Sequence, residues 1–238
     1  MADRPYTLLS CGMSIDGYLD SAGGERLRLS NVADFDRVDA VRAGCDAILV
    51  GAATVRNDNP RLLVRSAARR AERAARGLAP SPLKVTLTRR GDLAPTAEFF
   101  TAGCPEKIVY CPSDAAERVR ARLCPWATVV DAGPGNDIDL AALTADLSAR
   151  GVDRLMVEGG GTVLTQFLTA DLADELHLVV APLFVGDSRA PRLVGDGTFP
   201  WNARHRATLA GVRQIDDVVL LRYALSERFC AEQSPEDG

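Results

Sequence analysis

Short apolar runs alternate with stretches of helical spacing along most of the chain. The runs Tyr6–Met13, Ala47–Val50, Leu83–Leu87, Lys107–Tyr110, Ala127–Val130, Arg154–Val157 and Leu176–Ala181 read as strands. Helical spacing covers Ala33–Arg42 behind the polar pair Ser30-Asn31, Asp114–Arg122 with Ser113 as its N-cap, Leu140–Arg150 and Thr162–Thr169. Alternation of this kind predicts an α/β domain. Two final runs, Thr208–Gln214 and Val218–Tyr223, flank Ile215-Asp216-Asp217 with no helix between them, which predicts a terminal antiparallel hairpin. Residues 65 to 80 form an insertion of Ala and Arg, five arginines against one glutamate. It reads as a solvated helix or mobile loop, or as a patch for a polyanion. One domain is expected over residues 1–225, followed by a polar, disordered tail at 226–238.

Composition narrows the function classes. The 238 residues are 47% hydrophobic and carry 28 basic against 32 acidic side chains, a net charge of −4. That suffices for one core, and the slight acidity speaks against a nucleic-acid partner. No apolar run approaches the roughly 18 residues needed to span a bilayer. The N-terminal stretch reads as a strand, not a signal peptide, so a cytoplasmic protein is expected. The six cysteines form no C-x-x-C pair and are expected to be reduced, and only His177 and His205 are present. The zinc deaminase pattern and the G-x-S-x-G elbow are both missing, so hydrolytic chemistry of those types falls away and no metal site is expected.

Three stretches could carry chemistry. Val157–Thr162, VEGGGT, follows a strand and opens a helix. Consecutive glycines there allow close backbone approach and offer N–H groups to a pyrophosphate, or they form a simple turn. Glu158 sits where an open α/β sheet binds ligands, or it favours the first turn of the adjacent helix. In Ile48–Arg65, polar residues including Thr54, Asp58 and Asn59-Pro60 gather beyond a strand end, with Arg65 available to a phosphate and Arg42 at the end of the preceding helix. In Thr86–Pro95, a strand runs into Thr88, Arg89 and Arg90, which suit a phosphate monoester such as the 2′-phosphate of NADPH, or are two exposed arginines in a turn.

The succession CGMSIDGYL, RAGCDAILVGAATVRNDNPRL, VEGGGT and VAPLFVG, spread from Pro5 to Tyr223, resembles the riboflavin-pathway pyrimidine reductases. These occur as stand-alone archaeal and fungal enzymes and as the C-terminal half of bifunctional deaminase-reductases. The resemblance implies a dihydrofolate-reductase-like α/β fold: a mostly parallel central sheet, helices on both faces and a C-terminal antiparallel hairpin. It implies a homodimer that uses NADPH to reduce the ribosyl group of a ribosylaminopyrimidine 5′-phosphate. Position by position, it places cofactor contacts on Thr54, Asp58, Gly160, Gly161, Thr162, Val163 and Leu164, and substrate contacts on Arg42, Leu62, Arg65 and Glu158.

The chain departs from the pattern in two places. Arg26 and Arg28 stand where bifunctional members carry Ser and Trp, and Thr88-Arg89 replaces Asp-Ser. The latter pair is similar to the Ser-Arg cofactor contact of dihydrofolate reductases. No catalytic acid stands out, and with no deaminase half any deamination is expected of another protein. Two other readings stay open. One is a dihydrofolate reductase with Asp34 or Asp36 meeting the pterin; the other is a non-catalytic NADP-binding protein.

Overall fold

The computed structural model describes residues 4–23 and 26–229. The expected tail therefore lies, beyond Phe229, outside the described residues, as does Cys230. Two compact units are present, one made of the N-terminal residues to Pro5 with 42–156, the other of 6–41 with 157 onward.

In the first unit the strand order is β5 (Thr128–Asp131), β4 (Lys107–Cys111), β3 (Leu83–Leu87), β2 (Ala47–Gly51) and β6 (Arg154–Val157). The β2–β3, β3–β4 and β4–β5 pairs are parallel. Strand alternation assigns the helices. Val109 and Cys111 pack with Ala115, Ala116, Val119 and Leu123 of α5 (Ser113–Leu123), whose spacing makes one apolar stripe. Tyr110, pointing to the other face, donates its hydroxyl to Asp146 of α6 (Leu140–Ala149) at 2.6 Å. Burial and the Asp146 carboxylate push the Tyr110 phenol well above its usual range. The expected cap of α5 is not made: Pro112 is the N-cap, and Ser113 donates its hydroxyl to Asp131 and to the Gly133 carbonyl. Ser113 is already the first helical residue, one position too late to cap, and its hydroxyl is turned to acceptors at and just beyond the end of β5.

Three further helices in this unit are α2 (Ala52–Asp58), α3 (Ala67–Ala75) and the single turn α4 (Glu98–Thr101). The Ala/Arg insertion is thus partly helical, and it is less solvated than its composition implies. Arg73 is buried, donating to the carbonyls of Ala79, Ala43 and Cys45 at 2.7–2.8 Å.

The second unit has the strand order β1 (Tyr6–Ser14), β7 (Glu175–Ala181), β9 (Val218–Ala224) and β8 (Thr208–Ile215). The β1–β7 pair is parallel; β7–β9 and the β8–β9 hairpin are antiparallel, as expected. Helix α1 (Val32–Ala43) starts where Ser30-Asn31 predicted, with Asn31 Oδ1 accepting the Asp34 amide at 2.9 Å. Helix α7 (Gly161–Thr169) buries Val163, Leu164, Phe167 and Leu168. Each such side chain contributes roughly 1.5–3 kcal/mol of transfer free energy, which fixes the helix firmly. Residues 226–229 are tied down: Ser226 and Arg228 both donate to Asp174. Among the described residues no helix is long and apolar enough to cross a membrane.

Candidate active site

In the first unit, β2 ends at Gly51 and turns directly into α2. Thr54 and Asp58 are four residues apart and therefore share one face of this helix, both half-buried. Asn59 ends the helix at φ 44°, and Leu62 follows at φ 48°. Two non-glycine residues in the left-handed region within four positions carry backbone strain that the surroundings must hold in place. They do so. Leu62 is 2% exposed, within the apolar core, so its side chain anchors the segment and only its backbone remains for a ligand. Arg42 Nη1 donates to the Leu63 carbonyl at 3.3 Å, and the Val64 amide donates to Ser81 Oγ at 3.0 Å. Arg65 is exposed at the end of this braced stretch.

The Thr88 hydroxyl is buried and already committed to its own turn. It accepts the Gly91 amide at 3.0 Å and faces Asp92 Oδ1 at 3.4 Å, while Asp92 also pairs with Arg56. Arg89 and Arg90 stand exposed on that turn, and Arg118 donates to the Arg90 carbonyl. The guanidinium of Arg89 is thus the part of the Thr88-Arg89 pair that is presented outward.

In the second unit, Glu158 is half-buried just past the end of β6. Gly159 and Gly160 have φ of 93° and 64°, a bend that L side chains rarely adopt. Gly161 is needed for a different reason: a Cβ there would lie 2.5 Å from the Arg192 carbonyl oxygen. No side chain caps α7 at Gly160. The first intrahelical amides are those of Val163 and Leu164, both donating to the Gly160 carbonyl, so the amides of Gly161 and Thr162 precede the helical ladder. Val163 and Leu164 have buried side chains and reach a ligand, if at all, through their backbone. Arg26 and Arg28 are exposed, on a segment pinned by Asp20 accepting the Leu27 amide.

Sequence reasoning missed a buried polar network in this unit. Glu175 accepts from Tyr6 at 3.0 Å and Arg222 at 2.9 Å and pairs with His177 Nε2 at 2.8 Å. Arg37 Nη1 lies 3.2 Å from His177 Nδ1, and Arg37 Nε donates to Asp34 at 2.7 Å. An arginine can only donate, so Nδ1 accepts and the ring proton sits on Nε2, facing Glu175. Burial opposes ionisation of Glu175, but His177 and Arg222 outweigh it and hold its pKa down at about 2. Cys11, in β1, is pushed up to about 12 by burial and is no nucleophile.

The family described as the RibD C-terminal domain matches residues 5–221. Among curated relatives, the 2,5-diamino-6-ribosylamino-4(3H)-pyrimidinone 5′-phosphate reductase of Archaeoglobus fulgidus is 34% identical over 82% of this chain and 89% of its own. The protein of the same name from Methanothermobacter thermautotrophicus is 36% identical over 82% of this chain and 86% of its own. Among solved structures, a pyrimidine reductase-like protein from Corynebacterium diphtheriae superposes with a TM-score of 0.78 at 24% identity, covering 92% of this chain and 91% of that one. That likeness bears out the dihydrofolate-reductase-like fold class.

Proposed function

The chain belongs to the RibD C-terminal domain family, and on that footing we propose that it reduces the ribosyl group of a ribosylaminopyrimidine 5′-phosphate to a ribitylamino group, with NADPH as hydride donor. The observation that carries this reading is the identity of 34% and 36% with two archaeal reductases of that name across nearly their whole lengths. The residues fit a dinucleotide. A bend of left-handed glycines leads into a nine-residue helix whose first amides have no side-chain cap, which suits a pyrophosphate. When bound, the nicotinamide supplies a hydride for C1′ of the ring-opened, imine-like ribosylamine.

The protein's share is positioning and exclusion of water. Thr54 and Asp58, on one face of α2, and residues 160–164 are the proposed cofactor contacts. Arg89 answers the 2′-phosphate, with Thr88 shaping the turn that presents it. Arg65 binds the substrate phosphate through its planar fork, Arg42 fixes the backbone carbonyl of Leu63, and the Leu62 backbone lines the substrate. Glu158 accepts hydrogen bonds from amino or ring N–H groups of the pyrimidine. Water is the proton source in this reading, and no side chain is assigned that role.

Dihydrofolate is the weaker substrate candidate because, of the two acids open for a pterin contact, Asp34 is buried and bonded to Arg37 and Asp36 is exposed. We also read the chain as a homodimer working in the cytoplasm. The apolar edge of β8 supports the dimer: Leu209 and Val212 are 53% and 60% exposed. A monomer in sedimentation would overturn that part. The main test is NADPH oxidation, followed by absorbance, with the 2,5-diamino pyrimidine phosphate, its uracil counterpart and dihydrofolate. Turnover of either pyrimidine supports the proposal; turnover of dihydrofolate alone refutes it.

A further inference from the structure

Lys84, the second residue of β3, has 0% exposure, an expensive place for an ammonium group. Burial, and then the neighbouring Lys107, lower its pKa to about 8. An apolar side chain would fill the space at less cost, so the position calls for a donor. Its Nζ donates to the carbonyls of Phe99 at 3.1 Å and Ala102 at 2.7 Å, which are the open carbonyls at the end of α4.

That single helical turn grips the strained segment of the candidate site from both sides. At its start, the Glu98 amide donates to Asn59 Oδ1 at 2.7 Å, and the Glu98 carboxylate pairs with Arg61 at 2.9 Å. Just past its end, Gly103 has φ 68° and packs so closely on Leu63 that a Cβ would lie 2.9 Å from the leucine side chain. Phe99, Phe100 and Leu62 share one apolar cluster. Every one of these contacts reaches residues 59–63, between the left-handed turn at Asn59 and Arg65.

We propose that Lys84 and α4 form a splint that sets the path of residues 59–65, which makes Lys84 and Asn59 positioning residues for substrate binding. The link to substrate rests on the proposed function; the mechanical link does not, and the two can be tested apart. Asn59→Gly removes the cap on Glu98 at a position whose backbone glycine accepts without strain. Lys84→Met removes both donors at the other end of α4.

In the full chain, Asn59→Gly is expected to raise hydrogen exchange of the amides within 61–65 about fivefold, the loss of roughly one hydrogen bond, and Lys84→Met, which removes two, at least as much, with α5 unchanged. The KM for 2,5-diamino-6-ribosylamino-4(3H)-pyrimidinone 5′-phosphate should rise by a similar factor, with kcat and the KM for NADPH unmoved. Loss of fold strength alone would not split KM from kcat. Wild-type exchange at 61–65 in Asn59→Gly overturns the splint, even if Lys84→Met fails to fold. Raised exchange with an unchanged KM overturns the positioning role. A wild type that turns over neither pyrimidine sinks the proposed function, and the exchange result still decides whether the splint exists.

Discussion

Replacing Gly161 by alanine tests the glycine-rich bend at its tightest point. Alanine is intrinsically the better helix former by up to about 1 kcal/mol, so propensity alone predicts a gain. The structure predicts a loss. The added Cβ would lie 2.5 Å from the Arg192 carbonyl oxygen, whereas such a contact relaxes only near 3.3 Å, so helix or segment must yield by roughly 0.8 Å. The segment is poorly placed to yield. Leu19 donates to the Pro191 carbonyl at 2.8 Å, Leu193 to that of Gly17 at 3.1 Å, and Gly195 to Thr165 Oγ1 at 2.9 Å. Overpacking of this sort costs about 1–3 kcal/mol, and the net loss near 1 kcal/mol left after the propensity gain lowers the melting temperature by about 2–4 °C in a chain of this size. The same displacement moves the amides of Gly161 and Thr162, so NADPH affinity should fall at least about tenfold. Thermal unfolding and fluorescence titration of NADPH measure the two effects. Gly159→Ala is the control: it has φ 93° and open space around its Cβ, so it carries backbone strain with no clash. A Gly161→Ala protein that melts and binds NADPH like the wild type would refute both the contact and the cradle built on it.

Arg65→Ala should raise KM about tenfold to a hundredfold for the phosphorylated pyrimidine and far less for its dephosphorylated analogue; steady-state kinetics showing equal effects would make Arg65 structural. Arg89→Ala should abolish most of a preference for NADPH over NADH while leaving NADH binding alone, and a surviving preference in cofactor titrations would place the 2′-phosphate elsewhere. Glu175 has a folded-state pKa of about 2 against an ordinary 4.5. Its stabilising share, about 3 kcal/mol, is therefore complete above pH 4.5 and lost as the pH falls through 2. Denaturant unfolding of wild type and Glu175→Gln should show a stability gap that closes across that window, and a gap independent of pH would contradict it.

The strands were legible because buried parallel strands read as short apolar runs, and the hairpin because nothing helical separates its two runs. Helices α2 and α4 were not. In α2 only Ala52 and Val55 are buried, and the helix stops after seven residues at Asn59, too short for a period to emerge. In α4 the buried pair Phe99-Phe100 is adjacent and gives no spacing at all. The site residues came from motif spacing and resemblance, which name positions but not side-chain commitments. Leu62 turned out to be core, and the Thr88 hydroxyl to be taken by Gly91 and Asp92. The network of Asp34, Arg37, Glu175 and His177 was hidden because Arg37 and His177 are 140 positions apart. Polar residues alternating along a strand also look like a solvated face.

Arg73 alters what may be cut from this chain. An Ala/Arg-rich stretch invites trimming, as a spacer whose length could be reduced at small entropic cost. Here the stretch is a peg driven inward. Deleting residues 66–80 would strip the carbonyls of Ala43 and Cys45 of their donor, one of them immediately beside Arg42 in sequence. Each orphaned acceptor costs about 1–3 kcal/mol where water cannot reach it. A minimised version of the protein, or a tag spliced into this insertion, would thus be felt at the helix end that carries Arg42, although nothing near that arginine had been changed.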